Sequence, residues 1–190
     1  NLDIMCGFFF VYSKKKIGEQ DRVKYRKNAL KYLHNRGPDG SGEDYGNNYF
    51  AFHTRLAITG DRSQPITKNN LVILYNGEIY NDWKKYSDNY SDADFLSNFI
   101  VKNSSKNFGN LDGEYAIVIY DKLRNTLKLL SDPFATKPMY WAVSNNTFMV
   151  SSYDQTLKDL KINEKKINQI RPNSCITFNF SKNFTKKIKF

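Results

Sequence analysis

Apolar residues in this chain gather into short blocks, most of them too brief and too aromatic to be helices. The first, Gly7 to Tyr12, shows no alternation and predicts a strand buried on both faces. Leu71 to Tyr75 is a second unbroken run of the same kind. Tyr115 to Tyr120 and Thr126 to Ser131 flank Lys122-Leu123-Arg124-Asn125 and predict a hairpin, as do Met139 to Val143 and Phe148 to Ser152 around Asn145-Asn146. Asn48 to His53 alternates as a strand, Arg55 to Thr59 continues as its apolar edge, and Cys175 to Phe180 adds a late strand. Helical spacing is confined to three places. Val23, Ala29, Leu30, Tyr32 and Leu33 mark a helix from about Gln20 to His34 with a basic, solvated face; Phe95, Leu96, Phe99 and Ile100 mark Asp92 to Lys102; a short helix spans Asp154 to Leu160. Between them, Asn35 to Gly42 carries Gly37, Pro38, Gly40 and Gly42 and predicts an irregular loop, and Asp132 to Pro138 another. Many hairpins with few helices predict an α+β domain of mainly antiparallel sheets covered by helices.

Size and composition change this picture little. A chain of 190 residues suits one domain with a substantial core, here rich in aromatics, with 14 Phe and 13 Tyr. It contains no apolar run long enough for a membrane span, and Asn1 to Met5 does not read as the start of a signal peptide. The formal net charge of +10 would suit a polyanion partner, but the lysines are scattered among Asn, Ile and Tyr. Only Lys14-Lys15-Lys16 and the stretch from Lys182 to Lys189 are dense, and no recognition motif accompanies them, so nucleic-acid binding is not expected. The two cysteines and two histidines lie far apart without ligand spacing, which argues against a metal site.

The candidate chemistry lies at Cys6. A lone cysteine ordinarily serves as a small buried hydrophobe. If the residues before it are removed, however, Cys6 carries both a thiol and an α-amine whose reference pKa is about 7.7 to 8.0, a nucleophile and its base in one residue. Downstream come Arg36-Gly37-Pro38-Asp39, His53-Thr54-Arg55-Leu56-Ala57-Ile58, Gln64-Pro65, Asn76-Gly77-Glu78-Ile79-Tyr80-Asn81, Asp112-Gly113-Glu114-Tyr115-Ala116 and Lys137-Pro138-Met139-Tyr140. In this order and spacing they resemble the glutamine-hydrolysing domain of asparagine synthetase, a class II glutamine amidotransferase of the N-terminal-nucleophile hydrolase superfamily. The likeness runs from Cys6 to about Pro172.

The resemblance implies a four-layer α-β-β-α sandwich and hydrolysis of L-glutamine through a Cys6 γ-glutamyl thioester, with no cofactor. Asn76 would offer its side-chain amide, and Gly77 its backbone N–H, to the oxyanion that forms when an amide carbonyl is attacked. Without the resemblance, Asn76-Gly77 reads as a hairpin turn, although Glu78 to Asn81 shows little sign of a return strand. Arg55, otherwise a solvated ion-pair partner, would hold the α-carboxylate of glutamine with its guanidinium fork. Asp92 would receive the α-ammonium, although a residue there is first of all a helix cap, and Glu78 would lie beside the substrate. A catalytic thiol must stay reduced, which favours a cytoplasmic setting. In the family the ammonia passes to a synthetase domain that activates aspartate with ATP. No Ser-Gly-Gly-x-Asp-Ser loop occurs here, so an acceptor domain or subunit is expected elsewhere.

Several positions depart from the family. Asn1 to Met5 precede Cys6 and read as a leader (a tag remnant, propeptide or upstream extension) before an amidotransferase domain from 6 to 190. Ala135 and Asn173 stand where relatives carry glycine, and Tyr153-Asp154-Gln155 replaces acidic and basic residues after Ser151-Ser152. Two other readings stay open. Cys6 could pair with His53 as a dyad needing no free terminus, or the fold could serve as a glutamine- or partner-binding module without catalysis.

Overall fold

The computed structural model describes residues 5–57, 62–82, 91–103, 105–182 and 184–189. Strand β1 (Gly7–Ser13) leads into helix α1 (Glu19–Leu33), followed by β2 (Gly40–Tyr45), β3 (Tyr49–Arg55), β4 (Ile66–Lys68) and β5 (Leu71–Ile79). Helix α2 (Asp92–Lys102) precedes the hairpins β6 (Gly113–Asp121) with β7 (Thr126–Ser131) and β8 (Tyr140–Ser144) with β9 (Thr147–Ser151). Helix α3 (Asp154–Asp159), β10 (Asn168–Gln169), β11 (Cys175–Asn179) and β12 (Thr185–Lys189) complete the order. The strands form two six-stranded sheets, β10-β8-β9-β1-β3-β2 and β12-β11-β7-β6-β5-β4.

The unbroken apolar runs are explained by what covers each sheet. On β1, Phe8, Phe10 and Tyr12 point between the sheets, where they meet Val72 and Leu74 of β5 and Val118 and Tyr120 of β6. Phe9 and Val11 point the other way, under Ala29 and Leu33 of α1 and Leu157 of α3. Strand β5 repeats this on the second sheet, with Ile73, Tyr75 and Ile79 packed beneath Ala93, Leu96 and Ile100 of α2. Helices, sheet, sheet and helix therefore stack in four layers, and both central strands are apolar on both faces because each face is covered.

Some local expectations need correction. Gly40, Ser41 and Gly42 do not belong to an irregular loop: they pair with Arg55, Thr54 and His53 at the edge of the first sheet. A side chain at 42 would collide with the Gln64 carbonyl, so glycine here allows close approach of a neighbouring segment. Asn76-Gly77 makes no turn, since both residues lie inside β5, opposite Ala116 and Tyr115. Gly113, too, is paired rather than looped, as the first residue of β6 opposite Ile79. Gly77 and Gly113 have φ of 146° and 149°, and a Cβ on either would strike a backbone carbonyl of the opposite strand. Glycine serves a tight turn and a tight strand pairing equally well, which is why Asn76-Gly77 reads as a turn without the resemblance. Strand β3 ends at Arg55, and the expected continuation to Thr59 runs into residues outside those described. No helix among the described residues is long and apolar enough to cross a membrane.

Candidate active site

Cys6 sits just before β1, where the backbone is fixed from several sides. The Phe8 N–H donates to Ser152 Oγ at 3.0 Å, while Ser152 N–H and Ser151 Oγ donate to the Phe8 carbonyl at 3.1 and 3.2 Å. Thr54 Oγ1 donates to the Leu33 carbonyl at 2.9 Å, which also accepts from Arg36 and Gly37 N–H at 3.0 and 3.3 Å and so ties β3 to the end of α1. Gly7 fits beneath it, where a Cβ would lie 2.8 Å from that hydroxyl and 3.0 Å from Leu33 Cβ. On the far side, Gly37 is pressed so closely on the Thr54–Arg55 peptide that a Cβ there would lie 2.5 Å from the Thr54 carbonyl carbon. The Arg36-Gly37-Pro38-Asp39 string thus buttresses the end of β3 that carries Arg55.

The Cys6 sulfur accepts from Leu56 N–H at 3.4 Å and lies 3.7 Å from the Leu56 carbonyl. Burial pushes its thiol pKa up; the Leu56 contact and the positive charges of Arg55 and Arg36 pull it down, and Asp92 pushes it up again. A thiol held protonated in this way needs an adjacent base before it can attack.

The opposite wall belongs to β5. Tyr75 N–H donates to Gln64 Oε1 at 2.8 Å, its carbonyl accepts from His53 Nε2 at 2.9 Å, and its hydroxyl donates to Asp92 Oδ2 at 2.7 Å. These bonds fix the strand immediately before Asn76. The Asn76 side chain is 1% exposed, and its Nδ2 has no hydrogen-bond partner among the described residues. A buried amide donor left unpaired is rare and calls for a ligand or another explanation. Asp92 is not the cap of α2. Ser91 takes that role, accepting from Asp94 N–H at 3.1 Å, while Asp94 returns to Ser91 N–H in a capping box. Asp92, next in line, is released to accept from Tyr75 and from Ile79 N–H at 3.2 Å.

Cys6, Arg55, Asn76, Gly77, Glu78 and Asp92 all line one cleft, open at its mouth, together with Met5, Leu56, Arg62, Gln64, Tyr75, Ala93 and Lys137. Sequence alone assigned no role in the site to these last seven, among them Gln64, Lys137 and Arg62. Gln64 and Lys137 lie in the motif strings, which flagged their importance but not their contacts. Arg62 pairs with Asp94 at 3.5 Å and carries no motif. Lys137 reaches the cleft because Asp132 organises its loop: the carboxylate accepts from Phe134, Thr136 and Tyr115 N–H at 2.8, 3.0 and 3.0 Å. Lys137 then pairs with Glu114 at 3.0 Å. The lining carries both signs of charge, Arg55, Arg62 and Lys137 against Glu78 and Asp92, an arrangement suited to a zwitterion. Ala135, Tyr153, Asp154, Gln155 and Asn173 do not line it. His53 does not line it either and makes its Nε2 bond to Tyr75. Among the described residues no group of His, Cys, Asp or Glu could hold a metal ion.

Two six-stranded antiparallel sheets between helices, with a cysteine at the head of a central strand, form the sandwich of the N-terminal-nucleophile hydrolases. The chain superposes on a glutamine phosphoribosylpyrophosphate amidotransferase from B. subtilis with a TM-score of 0.69 at 15% identity, covering 97% of this chain and 49% of that one. A structure described as the allosteric regulatory enzyme of purine biosynthesis gives 0.71 at 16% identity, covering 97% and 48%. In sequence, residues 5–189 match the glutamine amidotransferase domain family, and the chain belongs to it as a class II member. It is similar to asparagine synthetase [glutamine-hydrolyzing] 1 of Saccharomyces cerevisiae, with 30% identity over 74% of this chain and 26% of the relative. The corresponding protein of Bacillus subtilis shows 27% identity over 87% and 29%. The chain spans well under half the length of the curated relatives it matches.

Proposed function

We propose that this domain hydrolyses L-glutamine to glutamate and ammonia with Cys6 as its first residue. The α-amine takes the Sγ proton, and the thiolate attacks the side-chain carboxamide carbon. Asn76 Nδ2 and Gly77 N–H donate to the oxyanion of the tetrahedral intermediate. Collapse breaks the C–N bond, the α-ammonium returns the proton to the leaving nitrogen, and ammonia departs from a γ-glutamyl thioester. Water, deprotonated by the same amine, then cleaves the thioester and releases glutamate. Arg55 holds the α-carboxylate, Asp92 the α-ammonium, and Glu78 lies beside the substrate, so orientation contributes along with affinity. The step calls for no metal or cofactor. The ammonia goes to an acceptor on a synthetase domain or subunit, as the names of the relatives suggest, in the reducing setting of the cytoplasm.

The observation that carries this reading is the unpaired, buried Asn76 Nδ2 in the same cleft as the Cys6 thiol. A Cys6–His53 dyad is less well supported, because the sulfur's polar contacts are with Leu56 and His53 Nε2 is bonded to Tyr75. The test is ammonia release from glutamine by protein that begins at Cys6, compared with protein that retains Asn1 to Met5 and with Cys6→Ala. Release is expected from the first alone. A rate in the first equal to that of Cys6→Ala overturns the proposal, and glutamine binding without turnover would instead establish a non-catalytic binding module.

A further inference from the structure

We propose that Tyr75 is the positioning residue through which the site reads the α-ammonium of its substrate, its hydroxyl fixing the carboxylate of Asp92. The proposal rests on the assignment of Asp92 to the ammonium made above. Tyr75 lies on the face of β5 that packs beneath α2, among Ile73, Ile79 and Leu96, where packing alone calls for an apolar side chain. A phenol hydroxyl in such a place is costly unless it is bonded, and here it donates to Asp92 at 2.7 Å. The second donor, Ile79 N–H, reaches the same oxygen, Oδ2, at 3.2 Å. Two donors on one oxygen hold the carboxylate by one edge while Asp92 lines the cleft. Neither of these two donors carries a charge.

The backbone of Tyr75 is pinned by Gln64 and His53 whatever its side chain does, so the hydroxyl can be removed without releasing Asn76. Arg55 serves the carboxylate, and Cys6, Asn76 and Gly77 serve the carboxamide. Only the amino group of the substrate should therefore sense position 75. Glutaramate, which is glutamine without its α-amino group, isolates the effect.

The experiment measures binding of glutamine and glutaramate by calorimetry to Cys6→Ala protein beginning at residue 6, with Tyr75→Phe or Asp92→Asn added. Tyr75→Phe is expected to weaken glutamine about tenfold and to leave glutaramate within twofold. In active protein the same change should appear in KM for glutamine with kcat held. Equal losses for both ligands, or no loss for either, would show a merely structural hydroxyl and overturn the proposal. If Tyr75→Phe unfolds the chain, 2,3-difluorotyrosine at position 75 keeps the shape and changes the donor strength; a change in the glutamine-to-glutaramate ratio is then expected, and an unchanged ratio is fatal. Asp92→Asn separates the two levels. A preference for glutamine abolished by Asp92→Asn but untouched by Tyr75→Phe sinks the role of Tyr75 alone, whereas a preference that survives Asp92→Asn removes the assignment of Asp92 and this proposal together.

Discussion

On the β5 side of the cleft, Tyr75 alone makes three buried hydrogen bonds to three different segments, and Asn76 beyond it is 1% exposed. On the side of the Asp132–Pro138 loop, Phe134 is 82% exposed and Ala135 holds a left-handed backbone at φ 51°. Both segments bring a side chain to the same cavity, yet one is fixed by a cross-layer network and the other is organised around one residue, Asp132. Two of the departures from the family's pattern fall on the loop side. Ala135 and Asn173 both occupy positive-φ positions next to Asp132, whose backbone carbonyl accepts from each at 3.1 and 2.9 Å. Glycine would suit either place, and asparagine tolerates it better than alanine does. The chain accepts strain in the loop and none in the network.

The largest expected effect that sharpens this contrast is Asn76→Ala. Its Nδ2 has no hydrogen-bond partner among the described residues, so thermal stability should move little while kcat for glutamine falls about 10²- to 10³-fold, as for loss of one oxyanion donor. Steady-state ammonia release and a melting curve on one preparation check both halves, and a large drop in melting temperature would show that the amide is structural instead.

Next comes pH, acting through His53 beneath Tyr75. Burial lowers its pKa from 6.5 to about 4, with Arg55 adding to the effect against the opposing bond to Tyr75. The folded state therefore binds fewer protons than the unfolded one between about pH 6.5 and about pH 4. Its stability should fall as pH drops through that window, by up to roughly 3 kcal/mol from this group. Denaturant titrations at pH 7 and pH 4.5 measure it, and in His53→Gln, which cannot titrate, the fall should be smaller by most of that amount.

The smallest effect lies in the loop. Ala135→Gly relieves the left-handed alanine and should stabilise the protein by about 1 kcal/mol, with glutamine turnover unchanged. Destabilisation instead would mean that the flexibility glycine adds to the unfolded chain outweighs the relief of strain.

Much of this could be read from residues alone, for identifiable reasons. Phe8-Phe9-Phe10-Val11 and Leu71 to Tyr75 announce strands covered on both faces, and two such strands require layers on either side of each. The short strings marked the residues that meet in the cleft. What stayed hidden was pairwise and long-range. The hydroxyl of Tyr75 looks like core aromatic content until α2 brings Asp92 to it, and a capping assignment cannot separate Ser91 from Asp92 without knowing which side chain has a partner elsewhere. Gly40 to Gly42 looks like a loop because glycine weakens a strand, and only the neighbouring Gln64 carbonyl explains why no larger residue fits at 42.

The serine pair at the end of β9 has one more consequence. The first residue of β1 in register with a neighbour is Gly7, opposite Thr54, and the serines grip the backbone at Phe8. Among the described residues no rung of either sheet lies before Gly7. The first pairing of β1 thus begins one residue after Cys6, so the serines' grip on Phe8 sets where the thiol sits without calling on any strand contact of Cys6 itself.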